Sequence, residues 1–419
     1  MLRMIETFSG IGSQAQALRN IEADYEIGSI VEWEIGAMYA YDIIHNGKQD
    51  LSVYRHHNKD SLIQEVSKYN ISNDGKEPLS ERGIAGLNVQ QLKAILHSIE
   101  NNNNLVDITE VHAEDLPDTD ILTYSFPCQD LSVSSRWHFN SSGIDRDAEN
   151  KSTLLWQIER ILIEYSQSSK ELPKFLLMEN VSNILSDKHI HNFQEWQRFL
   201  ESIGYYNQVY TLDARNFGVP QSRVRTYMVS VLAPDQEVRQ KLDDYFFGNN
   251  LETFYSEKNT KTLEDYLKVD YSNELYKAEA IASTPTFTPS REKIYLNNPI
   301  LATDAAIRNT YARTVTTKQD RHPNSGIIEY KDIILTDTNK NYRNLTPREC
   351  FLLMGFNEEQ YNLLMENNFK IGVNRRMLSS SKLIQLAGNS IVVPVLEVIF
   401  RQMIEIKEKY LNTIGSIKL

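Results

Sequence analysis

Short apolar runs alternate with amphipathic stretches over the first 232 residues of the chain. The apolar runs predict β-strands at 3–8, 27–32, 105–111, 119–125, 174–179, 206–211 and 226–232. The stretches between them predict helices at 13–20, 34–46, 88–101, 153–167 and 191–203, and a further helix is predicted near the C-terminus at 392–410. This alternation is typical of an α/β fold in which helices cover a parallel sheet.

Two segments interrupt the alternation. Residues 47–87 are polar and rich in Gly and Pro, which indicates an insertion rather than part of the sheet. From 235 to about 312 the chain is rich in Tyr, Asn, Glu and Lys and shows no clear period. We therefore predict a sheet domain at 1–234, a smaller second domain with its adjoining segment at 235–345, and a return to the first domain at 346–419.

Composition and charge narrow the class of protein. The chain has 419 residues, 41% of them hydrophobic and 24% charged, with neither a signal-peptide pattern nor an apolar run of membrane-spanning length. We expect a cytoplasmic protein without a membrane segment, in which Cys128 and Cys350 are free thiols. The net charge of −12 argues mildly against a polyanionic partner. Residues 283–328 nevertheless hold six basic against three acidic side chains, so a nucleic-acid surface is best sought there.

Cys128 is the residue whose position most strongly suggests chemistry. It follows the predicted strand 119–125 and Pro127, which ends that strand, so the thiol is expected at the carboxyl edge of the sheet. Glu179 ends the predicted strand 174–179 and should lie at the same edge. A thiolate beside a carboxyl group is a nucleophile and acid arrangement.

The first strand leads into a glycine-containing turn that suggests a nucleotide site. Gly10 and Gly12 precede a predicted helix, and Glu32, at the end of the next strand, can bind ribose hydroxyls. Trp33 can stack on a base. The same glycine spacing also fits a dinucleotide-binding turn, so both ligand classes remain open at this point. Asp107 can bind an exocyclic amine or simply cap the turn that follows it.

Two further motifs are ambiguous when each is taken alone. Arg223 and Arg225 flank the start of a strand, where alternation predicts one shared face suited to phosphate or base oxygens, or an ordinary pair of salt-bridging side chains. Gly388, Asn389 and Ser390 precede an apolar helix and fit a helix cap.

Taken in order, these motifs resemble those of the cytosine-C5 DNA methyltransferases. The matching stretches are Phe8-x-Gly10-x-Gly12, Glu32-Trp33, Asp107, Pro127-Cys128-Gln129, Glu179-Asn180-Val181, Gln221-x-Arg223-x-Arg225, Arg313-Thr314-Val315-Thr316 and Gly388-Asn389-Ser390. The resemblance covers nearly all of the chain except 47–87 and 235–312. The sequence around Cys128 is most similar to that of a small bacterial subgroup that includes CpG-modifying enzymes from mollicutes.

The resemblance implies a fold and a mechanism. The fold is an α/β, S-adenosylmethionine-dependent methyltransferase-like doubly wound sheet with a smaller inserted target-recognition domain. Cys128 would attack C6 of a flipped cytosine, Glu179 would hold N3 and the exocyclic amine, Arg225 would contact O2 and Arg223 the neighbouring backbone. After methyl transfer, loss of the C5 proton and elimination of the thiol would release 5-methylcytosine.

The resemblance also implies the ligands. S-adenosylmethionine is the expected cofactor and S-adenosylhomocysteine its product, with no metal. The expected cofactor-binding residues are Phe8, Gly10, Ile11, Gly12, Glu32, Trp33, Asp107, Pro127, Leu154, Asn389 and Ser390. The expected partner is double-stranded DNA bound by a monomer in the bacterial cytoplasm, at the nucleoid, with a cognate restriction endonuclease acting separately. The protein would then serve restriction–modification or phage DNA protection.

Residues 318–324 are dense in groups that read base edges, although a solvated loop explains them equally well. The residues expected to bind DNA are Arg313, Lys318, Gln319, Arg321 and Asn324. A short palindrome such as CG or GATC is the expected kind of target.

One departure and two alternatives stand beside this interpretation. The 134–143 loop after Cys128 keeps a single glycine, whereas the family's loop is rich in glycine and glutamine. A tRNA cytosine-C5 methyltransferase would share the core but should lack a sizeable segment between the Gln221-x-Arg223-x-Arg225 and Arg313-Thr314-Val315-Thr316 motifs. An NAD-dependent oxidoreductase would explain only Gly10, Gly12 and Glu32.

Overall fold

The computed structural model describes residues 1–127, 151–256, 261–286, 288–303, 306–330 and 342–411. Cys128 and the 134–143 loop lie outside these residues. Within them the α-helices, α1 to α15, are Ser13–Asn20, Ile35–Asn46, Lys59–Val66, Glu81–Ala85, Val89–Asn101, Leu155–Gln167, Ile190–Ser202, Gln236–Gly248, Leu263–Tyr266, Glu274–Ala282, Pro289–Asn297, Pro347–Leu353, Glu358–Asn367, Ser380–Asn389 and Val393–Ile406. The strands, β1 to β13, are Leu2–Thr7, Tyr25–Val31, Ile121–Tyr124, Phe175–Val181, Tyr205–Asp213, Gln221–Ser222, Val224–Leu232, Ile300–Ala302, Ala312–Arg313, Ile327–Glu329, Tyr342–Asn344, Lys370–Gly372 and Arg375–Arg376.

Six of the described strands form the central sheet, in the order β2-β1-β3-β4-β7-β5. The four strands β1 to β4 run parallel to one another, as predicted, whereas β7 runs antiparallel to both β4 and β5. The reason is the short connection from β5 to β7, which holds only the turn Ala214–Phe217 and β6. A parallel neighbour needs a crossover of a dozen or more residues, so this link permits only antiparallel pairing.

Alternate residues of the sheet supply two separate cores. Met4 packs into a core formed with α1, α2 and the C-terminal helices, while the adjacent Ile5 packs into a second core formed with α6 and α7. Leu177 and Met178 divide between the same two faces. Because both faces are covered, the inner strands β3 and β4 are buried and largely apolar, which is the pattern that made them recognisable in the sequence.

The predicted strand at 105–111 is wrong. Asn103 and Val106 have positive φ angles of 44° and 63°, so the chain turns here instead of extending. Its apolar side chains fill the core in another way: Val106 packs against the insertion, and Ile108 and Val111 against the second face of the sheet. Burial alone therefore produced the strand-like pattern.

The insertion at 47–87 is outside the sheet, as predicted, and it forms a layer of its own. Helices α3 and α4 pack with α2 and α5 around a core that includes Tyr54, Leu62 and Ile84. Ser72 is hydrogen-bonded to the chain at both Trp33 and Ile35, through its N–H to the Trp33 carbonyl at 2.7 Å and through its carbonyl to the Ile35 N–H at 2.8 Å. The insertion is thereby attached to the end of β2.

Helix α8 packs on the central sheet, although the predicted second domain begins at 235. Phe246 stacks on Tyr206 of β5 at 5.7 Å between ring centroids, and the Tyr245 hydroxyl donates to Glu405 near the end of α15 at 2.6 Å. The boundary that we propose for the second domain therefore moves to the end of α8. Beyond it lies a small sheet in the order β11-β10-β8, and α12 to α15 then return to the first core.

Within the described residues, one helical stretch is long and apolar enough to cross a membrane by length and composition, Ser380–Leu411. Its most apolar window is 67% buried inside the protein. The stretch changes direction between α14 and α15, where Ser390 has extended backbone angles. This is the behaviour of a helix pair in the core of a folded domain.

Candidate active site

A cavity of about 430 Å³ opens at the carboxyl ends of β1 to β4. Its lining includes most of the residues that the sequence singled out, namely Phe8, Gly10, Glu32, Trp33, Asp107, Pro127, Leu154, Glu179, Arg223, Arg225 and Asn389. One continuous space thus brings together residues from both ends of the chain.

Glu32 is held in place by main-chain donors at one end of the cavity. Its two carboxylate oxygens accept from the N–H groups of Gly10 and Glu34, each at 2.9 Å. Burial raises the pKa of Glu32 to about 7, against these hydrogen bonds, which lower it. The bond to Gly10 joins the glycine turn after β1 to the end of β2, so the two sequence motifs form one wall.

Two residues of this wall have unusual backbone angles. Phe8 and Val106 adopt positive φ angles of 56° and 63°, which L-residues rarely do, and both line the cavity. The buried Asn104 side chain supports Val106, because its oxygen accepts from the N–H groups of Glu32 and Val106, each at 3.0 Å. Its nitrogen donates to the Glu32 carbonyl at 2.9 Å. Backbone strain that is held in this way is characteristic of ligand sites.

Asp107 lines the cavity and also caps the turn that follows it. Its Oδ1 accepts from the N–H and the hydroxyl of Thr109 at 2.9 and 2.8 Å, and its Oδ2 accepts from Asn70 at 3.3 Å. The two alternatives left open by the sequence are therefore compatible, since the cap fixes the carboxylate at the cavity wall.

Three predicted cofactor residues lie behind the wall. Ile11 is buried in the main core, and a methyl group on Gly12, whose φ is 78°, would overlap the imidazole of His45. Ser390 is 6% exposed and donates its hydroxyl to the Leu386 carbonyl at 2.8 Å. These residues shape the wall from the protein side, and the structure gives them packing roles.

Glu179 and Arg225 form the opposite end of the cavity. Glu179 ends β4 next to β7, and the Nε of Arg225 lies 3.4 Å from its Oε1. Burial raises the pKa of Glu179, while Arg225 and Arg223 oppose that rise. A buried carboxyl with a raised pKa retains its proton more readily than an exposed one and can serve as an acid.

Arg223 lines the cavity together with Arg225, but its guanidinium has different partners from the single shared face that alternation predicted for the two arginines. It is 5% exposed, and its guanidinium donates to the carbonyls of Val315, Gly388 and Ser390 at 2.9, 3.2 and 2.7 Å. The cause is a break in strand geometry, because Arg223 lies between β6 and β7 rather than within one strand. Arg223 thus joins the sheet to two distant segments.

Gly388, Asn389 and Ser390 end a helix instead of beginning one, so the alternative that they form the N-terminal cap of the following helix is wrong. They lie at the C-terminus of α14, and Ser390 is its C-cap. Gly388 lies so close to the backbone of Thr316 that a methyl group there would be 2.5 Å from the Thr316 carbonyl carbon. The glycine is required by this close approach of two chain segments, which the sequence did not reveal.

The sequence analysis missed lining residues from two places. Asp74 and Gly75 come from the insertion, and Gln385 and Leu386 from α14. No periodic or motif signal marks the first pair. Asn180 was quoted only as part of a motif, yet its amide donates to the Phe126 carbonyl at 3.1 Å and so fixes the chain that leads through Pro127 to Cys128.

The remaining residues that the sequence singled out differ in their exposure to solvent. Cys350 is a free thiol in the core, and burial raises its pKa well above the usual range. Arg313, Lys318 and Arg321 are exposed. The described part of the chain contains no group of three or more His, Cys, Asp or Glu side chains that could hold a metal ion.

Gln319 and Asn324 are almost fully buried, at 2% and 1% exposure, which does not fit the prediction that they read bases. The Gln319 side-chain oxygen accepts from the Ser325 N–H at 3.2 Å, and the Asn324 amide donates to the Gln319 carbonyl at 2.8 Å. Their polar groups are used to fold the 318–326 turn. This turn presents Lys318 and Arg321 instead.

Comparison with known proteins identifies the family to which the chain belongs. Residues 84–405 match the family model for C-5 cytosine-specific DNA methylase. Type II methyltransferase M2.ScrFI from Lactococcus lactis subsp. cremoris is 32% identical over 96% of this chain and 99% of its own. Orphan methyltransferase M.SssI from Spiroplasma monobiae is 30% identical over 95% of this chain and 96% of its own.

The fold has relatives among solved structures. The S. pombe Dnmt2 methyltransferase superposes with a TM-score of 0.61 at 19% identity, covering 97% of this chain and 99% of the other. The Entamoeba histolytica methyltransferase EhMeth gives 0.54 at 18% identity, with 97% and 98% covered. These likenesses confirm the methyltransferase-like α/β fold, and the family match leaves the oxidoreductase alternative without support. The chain belongs to the C-5 cytosine-specific DNA methylases and is a DNA cytosine-5-methyltransferase.

Proposed function

We propose that the protein transfers a methyl group from S-adenosylmethionine to C5 of a flipped cytosine in a short duplex site, through a covalent bond between Cys128 and C6 (EC 2.1.1.37). The observation that carries this proposal is the single cavity shared by the Glu32 wall and the Glu179–Arg225 pair. Pro127, the residue before Cys128, belongs to the same lining. A nucleoside-containing cofactor and a flipped base would thus be adjacent.

The residues at the Glu32 end fit S-adenosylmethionine, which supplies an electrophilic methyl group when bound. Phe8 and Trp33 offer aromatic faces to a purine, and Glu32 can accept hydrogen bonds from ribose hydroxyls. Asp107 is placed to accept from an exocyclic amine. Ile11, Gly12 and Ser390 would act by holding this wall.

The residues at the other end fit cytosine chemistry. The Cys128 thiolate would form a bond to C6, and a protonated Glu179 would hydrogen-bond N3 to limit the negative charge that the ring gains. C5 would then form a bond to the methyl group of S-adenosylmethionine, the bond between sulfur and that methyl group would break, and S-adenosylhomocysteine would be the leaving group. Loss of the C5 proton to a base would break the bond between sulfur and C6 and restore the aromatic ring. Arg225 would hold O2 of the cytosine, and its contact with the Glu179 carboxyl group would keep that group in position.

The proposed DNA contacts rest on the exposed cations of the second domain, Arg313, Lys318 and Arg321, which suit phosphate or guanine edges. The substrate would be double-stranded DNA bound by a monomer in the bacterial cytoplasm. The type II name of the Lactococcus relative favours a role in restriction–modification, with a separate endonuclease that cuts the unmodified site.

The test is transfer of tritiated methyl groups from S-adenosylmethionine to polymer. We expect label in duplex DNA, none in tRNA, and a loss of about 10²- to 10⁴-fold in kcat for Glu179→Gln. The matched control is Glu195→Gln, which removes a carboxylate from α7 on the outer layer of the sheet. Label in tRNA instead of DNA, or equal rates for Glu179→Gln and the control, would refute the proposal.

A further inference from the structure

The insertion contributes a turn to the cavity that holds the proposed cofactor residues. Asp74 and Gly75 line the same space as Glu32 and Trp33. A methyl group placed on Gly75 would lie 3.7 Å from Cγ of Glu34 and 4.0 Å from Nε1 of Trp33. The turn therefore lies at the end of the cavity that Glu32 and Trp33 form after β2. Glu179 and Arg225 form the opposite end.

Hydrogen bonds within the insertion give this turn a fixed shape. The Ser72 hydroxyl donates to the Glu77 carbonyl at 2.6 Å and accepts from the Gly75 N–H at 3.0 Å. The Asp74 Oδ1 accepts from the Lys76 N–H at 2.8 Å. These bonds orient the Asp74 carboxylate before any ligand arrives, which lowers the entropic cost of a contact with it.

Lys382 of α14 fastens the turn to the rest of the cavity. Its ammonium group forms an ion pair with Glu34 at 2.9 Å and donates to the Asn73 carbonyl at 3.0 Å. Glu34 is the N-cap of α2, where it accepts from the Gly36 and Ala37 N–H groups. One partly buried cation thus connects the insertion, the end of β2 and the C-terminal helix at the edge of the cavity.

We propose that the Asn73–Gly75 turn is a cofactor-binding wall and that Asp74 is a specificity-determining residue, accepting a hydrogen bond from a donor group of the nucleoside. Lys382 is a positioning residue that holds this wall. The inference rests on the proposed function, since it names a further contact for the same cofactor. It gives the insertion a role in the reaction although the family model begins only at residue 84.

The experiment measures binding of S-adenosylmethionine and S-adenosylhomocysteine to the full chain by isothermal titration. Asp74→Asn is expected to raise the Kd of both by about 2- to 12-fold, the loss of one ordinary hydrogen bond, with kcat at saturating cofactor unchanged. Asp60→Asn is the matched control, because it removes an exposed carboxylate from the same insertion, on α3. Lys382→Gln should raise the Kd in the same way and speed cofactor dissociation.

Analogues identify the donor that Asp74 contacts. S-inosylhomocysteine lacks the exocyclic amine, and 2′-deoxy-S-adenosylhomocysteine lacks one ribose hydroxyl. Asp74→Asn should reduce the discrimination of the wild type against one of them. Equal Kd values for Asp74→Asn and Asp60→Asn would overturn the inference. In that case Ser72→Ala, which frees the turn, should also bind both ligands with the wild-type Kd. Glu32→Gln separates the two failures: if it loses binding while Asp74→Asn does not, only the inference fails, and if the wild type binds neither ligand, the proposed function fails.

Discussion

Arg223 provides the clearest separation of a structural from a chemical role in this site. Arg223→Met keeps the aliphatic volume and removes a guanidinium that donates to three main-chain carbonyls at 2.7–3.2 Å. At about 1–1.5 kcal/mol net for each bond, the loss is about 3–5 kcal/mol in the free energy of unfolding. The carbonyls of Val315 and Ser390 would be left buried without their charged donor, which is why the cost should be large.

Arg225→Met is the matched control. Arg225 faces Glu179 at 3.4 Å, and without it the Glu179 carboxyl can take up a proton, because burial already raises its pKa. We therefore expect less than about 1 kcal/mol of lost stability for Arg225→Met, together with a large loss of kcat.

The assay combines urea unfolding followed by tryptophan fluorescence with hydrogen exchange of the amides at 313–317 and 386–391. Arg223→Met should speed exchange in both segments, since it releases them from the sheet, and Arg225→Met should leave both unchanged. An unfolding free energy of Arg223→Met within about 1 kcal/mol of the wild type, with normal exchange, would refute the reasoning.

Three further predictions concern buried residues in the protein around the cavity. Burial raises the pKa of Glu6 from 4.5 to about 7, so between these pH values the folded state binds one more proton than the unfolded state. The free energy of unfolding should therefore fall as pH rises through that window, by at most about 1.4 kcal/mol per pH unit. Glu6→Gln should flatten this pH dependence in urea titrations at pH 5 to 7.5. Asn104→Ala removes three hydrogen bonds around Glu32 and should raise the Kd for S-adenosylmethionine about tenfold or more, measured by titration, with an unchanged Kd counting against it. Gly12→Ala should lower the melting temperature by several degrees because its methyl group overlaps His45, and a wild-type melting curve would contradict this.

The sequence predicted the parts of the fold that follow from periodicity. Helix α1 was predicted at its observed bounds, because its apolar spacing and the glycine before it are local signals. The antiparallel direction of β7 was missed because it depends on the length of the β5–β7 connection, and a strand was wrongly predicted at 105–111 because burial of Val106 and Ile108 imitates a strand pattern.

The site was predictable where a motif places its residues at strand ends, as for Glu32 and Glu179. It was not predictable where two distant segments meet. The three carbonyls around Arg223 and the Asn73–Gly75 turn are fixed by tertiary packing, and residue types such as Asp and Gly in a polar insertion carry no periodic signal. The burial of Gln319 and Asn324 is of the same kind, because amide side chains serve a folded turn as readily as a base edge.

The central claim is that Cys128 forms the covalent bond to cytosine that permits methylation at C5. Bisulfite sequencing of DNA from cells that express the wild type or Cys128→Ser tests it most directly. The account predicts 5-methylcytosine at one fixed short context in the wild-type sample and unmodified cytosine at that context in the variant. Methylation that persists in Cys128→Ser, or its absence from every context in the wild type, would contradict it.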